Sequence, residues 1–301
     1  MRPVYVFPGQ GSQYPGMASG RLVEDRDAAR VFELASRISG TDVASLCRSG
    51  EPSLLARTDL CQLCVAAVSL AWLILLEKEG HRQRATAGHS LGEYCAACAA
   101  GCLGVEDTLR LVWVRGKAML ECALSRPGSM LAVTGLDEGT VRELVVEARG
   151  GGFLHLANLN SERQYVVAGD ASSLERVEAS TVKRGGRAVR LKVGGAFHTP
   201  AFREAAEVVG EALEDMTLRD PAVPFYSGLT GTALDDGPSV ARALVEGICS
   251  PVRWRDVQRA LVPLAEEGQV EVGPGRALNA MARRDYPHLT VYHASELVRS
   301  A

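Results

Sequence analysis

A short run of small apolar residues, Ala85-Thr86-Ala87, ends in Gly88-His89-Ser90-Leu91-Gly92, and a stretch rich in Ala and Cys follows at once to about Ala100. A strand that must become a helix within a few residues leaves the backbone little choice. The serine sits on a tight turn, the flanking glycines avoid clashes with neighbouring chain, and the hydroxyl projects at the helix N-terminus. Such a turn belongs at the end of a strand in a parallel sheet flanked by helices. The pentapeptide therefore predicts a fold class and a candidate nucleophile together. Five residues alone match many chains by chance; the strand before and the helix after give this match its weight.

The remaining pattern agrees. An apolar strand, Val4 to Phe7, runs into the loop Pro8-Gly9-Gln10-Gly11-Ser12-Gln13, and helical periodicity follows at about 26–38, 62–78 and 105–123. Near Ser129 the texture changes. Strand (Met130–Thr134), helix (Glu138–Ala148), strand (Phe153–Asn158), strand (Gln164–Ala168), helix (Ser172–Arg184) and strand (Ala188–Val193) follow one another. This βαββαβ order is the ferredoxin-like arrangement, a unit able to sit as an insertion. The main pattern then resumes with a helix at about 201–215, a strand at Val223–Ser227, a helix at about 251–267 and a strand at Val270–Val272. The class predicted is α/β, with a large part made of 1–128 and 194–301 and a small unit of 129–193.

Composition narrows the function. Basic and acidic residues number 33 and 36, so the net charge is −3. That balance excludes a broad basic face for nucleic acid. With 47% apolar residues in 301, the chain carries enough core to fold without a metal or disulfides. The longest apolar run, Cys64 to Leu76, is 13 residues, short of the roughly 18–20 that span a bilayer, and reads as a buried helix. The first residues, MRPVYVFPGQ, lack the apolar region of a signal peptide. A cytoplasmic, non-membrane protein with reduced cysteines is the expectation. Cys61-x-x-Cys64 and Cys95-x-x-Cys98 have zinc-knuckle spacing, yet both lie in apolar helical patterns, where small buried thiols are the better account. No metal is expected.

A serine nucleophile needs a base, normally histidine. Of the six histidines, His89 adjoins the serine and should point elsewhere, His155 lies in a predicted strand, and His81, His288 and His293 fall in polar or terminal segments read as solvated. His198 remains, in Gly194-Gly195-Ala196-Phe197-His198, where the chain returns from the small unit. No acidic residue between Ser90 and His198 stands out to orient the imidazole. A backbone carbonyl serves equally, because orientation requires only an acceptor for the second ring N–H.

Five segments occur in order: Phe7-Pro8-Gly9-Gln10-Gly11-Ser12-Gln13, Gly88-His89-Ser90-Leu91-Gly92-Glu93-Tyr94, Arg115-Gly116-Lys117, Gly194-Gly195-Ala196-Phe197-His198 and Glu271-Val272-Gly273-Pro274-Gly275. The set resembles the malonyl-CoA:acyl carrier protein transacylases and the acyltransferase domains of polyketide synthases, from about residue 4 to 280. The resemblance implies an α/β-hydrolase-like core with an inserted ferredoxin-like subdomain. It implies Ser90 as nucleophile and His198 as base, with the N–H groups of Gln10 and Leu91 as oxyanion hole. Arg115 would hold the malonyl carboxylate, a role suited to a guanidinium fork. A main-chain carbonyl near Gly247 would orient the histidine; many bacterial relatives carry Gln there. Arg187 resembles a basic residue that meets the phosphates of CoA, and a plain surface arginine is the competing reading. Phe197 replaces the serine found before the histidine in relatives that load methylmalonyl, so it should crowd an α-substituent.

The activity implied is transfer of malonyl from malonyl-CoA to the phosphopantetheine thiol of an acyl carrier protein, with no cofactor. A monomeric, free-standing enzyme serving a polyketide synthase in trans is the expectation. The competing readings are a transacylase for a substituted malonyl or for fatty acid synthesis, a hydrolase editing carrier proteins, and an idle scaffold. Arg115 argues against an editor of neutral chains, and the intact Ser90, His198 and Arg115 argue against the scaffold.

Overall fold

Ten strands alternate with helices in the computed structural model, which describes residues 1–299. They are β1 (Val4–Phe7), β2 (Ala85–Gly88), β3 (Ser129–Thr134), β4 (Leu154–Ser161), β5 (Gln164–Gly169), β6 (Arg187–Arg190), β7 (Phe225–Tyr226), β8 (Ala233–Leu234), β9 (Gln269–Glu271) and β10 (Val291–His293). Six form one sheet in the order β10-β9-β1-β2-β7-β8. All its pairings are parallel except β7 with β8. The mixed α/β class with a parallel-dominated sheet is therefore present.

Strand alternation sets the two faces of this sheet. Val4 and Val6 pack with Trp254, Val257 and Leu278 on one side. Tyr5 and Phe7 join the larger core on the other, around the helix Thr58–Lys78. Fully burying a side chain of this size stabilises by about 1.5–3 kcal/mol. The Thr58–Lys78 helix has the length and mean hydropathy (2.1) of a membrane span, yet most of it is buried in the protein. It packs between the helices Arg26–Ser39 and Val105–Ser125. The 13-residue apolar run is thus the middle of a 21-residue core helix.

The other four strands form an antiparallel sheet in the order β4-β5-β3-β6. Leu131 and Val133 of β3 pack under the helices Glu138–Arg149 and Ala171–Lys183 in a separate core. Met130, Val166 and Ala168, on the opposite face, belong to the main core. Asp137 and Asp170 cap the two helices through the N–H groups of Thr140 and Ser173.

Two expectations need correction. The helix anticipated over 251–267 is shorter: Trp254–Leu261, then a 3-10 turn, Val262–Leu264. Pro263 has no N–H to continue an α-helical ladder. The last strand of the small sheet ends at Arg190, and Leu191 and Val193 instead line a cavity beside Ser90.

Candidate active site

The elbow forms because the backbone elements nearly touch. A Cβ on Gly92 would stand 2.0 Å from the carbonyl oxygen of Phe7, so only glycine lets the helix Gly92–Ala99 start against β1. Ser90, on the turn itself, adopts φ +54°. His198 has φ +60°, and these are the two non-glycine residues with positive φ among those described. Left-handed backbone at such residues costs about 1–3 kcal/mol and persists only where the surroundings impose it. Both strained positions belong to one pair.

Ser90 Oγ and His198 Nε2 are 2.8 Å apart. His198 Nδ1 donates to the carbonyl of Gly247 at 2.8 Å, which leaves Nε2 as the acceptor for the serine hydroxyl. Among the described residues no carboxylate bonds the imidazole. Burial, and then the positive charge of Arg115, push the His198 pKa down to about 3 from 6.5. The imidazole is therefore neutral, in the form able to take a proton, across the physiological range. Acylation rates should show no fall with an inflection near 6.5 when pH is lowered from 8 to 5. Stopped-flow measurement across that range checks this, and a fall in rate on acidification with its midpoint near 6.5 would mean the imidazole titrates as if exposed.

Arg115 is brought to the same point by a close helix contact. A Cβ on the next residue, Gly116, would lie 2.8 Å from Asp59 Cα, so glycine lets the Val105–Ser125 and Thr58–Lys78 helices approach. The guanidinium is 2% exposed and has no carboxylate within ion-pair distance among the described residues. Its Nη1 donates to Gln62 Oε1, and its Nη2 donates to Ser90 Oγ at 3.2 Å. It lies over the Tyr94 ring at 5.3 Å, while its Nε is buried without a partner. Burial lowers its hold on the proton, but an arginine remains charged.

Gln10, Ser90, Arg115, Phe197 and His198 line one cavity of about 310 Å³, walled also by Met130. The main-chain N–H groups of Gln10 and Leu91 donate no hydrogen bond among the described residues; Gln10 lines the cavity with Ser90, and Leu91 follows Ser90 in the chain. Phe197 is buried, edge-on to Phe202 at 5.1 Å. Gly247 meets the site through its carbonyl, which accepts from His198 Nδ1. Arg187 is not brought here: it stands exposed at the start of β6, opposite Thr134.

Three further residues carry the site's geometry, and sequence reasoning gave none of them a role. Gln62, fully buried, positions Arg115; its signal was a lone amide within an apolar helix. Asn160 on β4 bonds His89 Nε2 at 3.0 Å and ties the elbow to the small sheet. Glu271 accepts the N–H groups of Leu278 and Asn279, fixing the helix Ala277–Asp285 that lines the cavity. His293 is a correction. It is buried rather than solvated, with Nε2 donating to the Gly273 carbonyl. The CxxC cysteines lie on the helices Thr58–Lys78 and Gly92–Ala99, and no cluster of metal-ligating residues occurs among the described residues.

Comparison with known proteins matches residues 4–294 to the acyl transferase domain family. The polyketide biosynthesis protein ThaF of Burkholderia thailandensis is 38% identical over 287 residues, covering 94% of this chain but only 24% of that protein. The malonyl CoA-acyl carrier protein transacylase of Bacillus subtilis is 32% identical, covering 93% of this chain and 89% of the relative. A solved malonyl transacylase in complex with a type II polyketide acyl carrier protein superposes with a TM-score of 0.90 at 29% identity, covering 97% of this chain and 95% of that one.

Proposed function

Since the chain belongs to the acyl transferase domain family, we propose that it moves a malonyl group from malonyl-CoA to the phosphopantetheine thiol of an acyl carrier protein through an ester on Ser90. His198 takes the hydroxyl proton as Ser90 Oγ attacks the thioester carbonyl. The N–H groups of Gln10 and Leu91 receive the oxyanion, which fixed donors stabilise without reorganisation. The C–S bond then breaks, and the proton on His198 passes to the departing CoA sulfur. In the second half the carrier's thiol gives its proton to the same histidine, its sulfur attacks the ester, and Ser90 Oγ leaves with that proton. The Gly247 carbonyl holds the ring in the tautomer that both halves use.

The observation that carries the substrate is Arg115, a buried cation with no carboxylate within ion-pair distance among the described residues and a nitrogen 3.2 Å from the nucleophile. A malonyl thioester brings the missing carboxylate. Phe197 in the same cavity favours unsubstituted malonyl over a branched extender. Arg187, exposed on β6 and outside the cavity lining, is in this reading a surface cation for the CoA phosphates. Brief exposure to malonyl-CoA, followed by peptide mass analysis, should find one malonyl group on the peptide carrying Ser90. A chain that hydrolyses malonyl-CoA without accumulating that ester, or never loads it, would overturn the reading.

The antiparallel order β4-β5-β3-β6, with both helices over one face, supports 129–193 as a ferredoxin-like subdomain inserted into an α/β-hydrolase-like part of 1–128 and 194–301. The chemistry calls for no cofactor, and a cytoplasmic monomer serving a polyketide synthase in trans is the setting we favour. The similarity to ThaF supports the pathway, although the chain spans only about a quarter of that protein.

A further inference from the structure

A second, small space of about 10 Å³ is lined by Ser90, Glu93, Tyr94, Arg115 and Gly228, and it shares Ser90 and Arg115 with the main cavity. Glu93 is 5% exposed. Its Oε1 accepts from Ser227 Oγ at 2.6 Å and from the Gly228 N–H at 3.1 Å, while Oε2 takes no hydrogen bond among the described residues. No other acid lines this space. Arg115 comes from the Val105–Ser125 helix, Tyr94 from its own, and the Gly237–Glu246 helix offers Ala243 and Leu244. Arg253, whose N–H donates to Gly228, has its guanidinium on Asp256. A buried guanidinium left without an anion is costly, and Glu93 is the one carboxylate lining its surroundings.

We infer that Glu93 is the counter-charge of Arg115 in the unacylated enzyme and yields that role to the substrate carboxylate by taking up a proton on Oε2. Glu93 is thus a positioning residue that sets selectivity through Arg115, and the inference rests on Arg115 being the malonyl clamp. Two carboxylates near one guanidinium in a dry site repel, so the one held by the protein protonates. Burial already pushes Glu93 up to about 7, which puts the exchange within reach at ordinary pH. The sign follows. Below that value Glu93 is neutral, Arg115 is unpartnered, and malonyl is strongly preferred. As pH rises through it, the internal pair forms, neutral acyl groups are tolerated, and the preference falls.

The test has two arms. With the unmodified chain, loading from malonyl-CoA near pH 7 in weak buffer with an indicator dye should take up a fraction of a proton per site, and loading from acetyl-CoA should take up none. In the second arm, Glu93→Gln retains an oxygen for Ser227 and Gly228 but cannot ionise. The ratio of kcat/KM for malonyl-CoA over acetyl-CoA should fall about tenfold between pH 6 and 8.5 in the parent, the effect of a shift of about one pKa unit. In Glu93→Gln it should stay flat at or above the low-pH value. Equal proton uptake with both thioesters, or superimposable ratio profiles, would overturn the inference while leaving the clamp intact. Should Glu93→Gln fail to fold, proton uptake by the parent decides alone. Failure of Ser90 to load malonyl at all would instead sink the clamp reading.

Discussion

Ser90→Ala should reduce malonyl transfer by at least about 10⁴-fold while the protein still folds, because losing a nucleophile removes the covalent route entirely. Alanine occupies the same left-handed turn and deletes one oxygen, so thermal unfolding should hardly move. The two groups it leaves short of a partner are His198 Nε2 and Arg115 Nη2, both facing the cavity. His198→Ala should cost less, about 10²–10⁴-fold, the usual worth of a general base. The order matters. In the histidine variant the hydroxyl and the oxyanion donors survive, so slow ester formation should still be seen by mass, whereas Ser90→Ala should show none. A Ser90→Ala protein that still accumulated acyl-enzyme would place the nucleophile elsewhere and dismantle the mechanism.

The parts of this molecule that sequence made legible are those with local steric demands. At the elbow, glycines on either side of a serine announce a turn whose reasons lie within a few residues. The small sheet was legible because two-residue alternation, as in Leu131 and Val133 against Met130, switches to helical spacing at 138 and 171. Contacts made across long separations left weaker marks. Gln62 reads as an oddity in an apolar helix until Arg115, 53 residues on, supplies its partner. β8 and β10 span two and three residues, and only their neighbours in the sheet make them strands. His293 looked solvated because it is near the C-terminus, yet β10 places it against Trp72 and the Gly273 carbonyl. The helix expected to 267 stopped early at a proline whose position was visible throughout. Glu93 stood inside a recognised motif and still signalled nothing, since its meaning depends on a loop at 227–228 and a helix at 115.

Arg115→Ala should shift preference from malonyl towards acetyl while acyl transfer itself continues. Removing one member of a desolvated charge pair costs about 2–5 kcal/mol, or roughly 30-fold to a few thousand-fold in kcat/KM for malonyl-CoA. The loss should not extend to acetyl-CoA, which has no carboxylate to pair and meets in the parent a buried cation it cannot satisfy. Acetyl transfer should therefore hold or rise, and the ratio of the two should change by more than either rate. Part of the effect has a structural origin that must be separated. Arg115 also donates to Ser90 Oγ and covers the Tyr94 ring, and its removal leaves the buried Gln62 amide without that donor. A disturbance of that kind would slow both substrates alike. Arg115→Lys retains a cation but not a planar fork, so it should recover some malonyl transfer without restoring the full ratio. Competition between malonyl-CoA and acetyl-CoA on the parent and both variants distinguishes the causes. Equal losses for the two thioesters would make Arg115 a structural support of the serine, and the malonyl assignment would then lose the residue on which it stands.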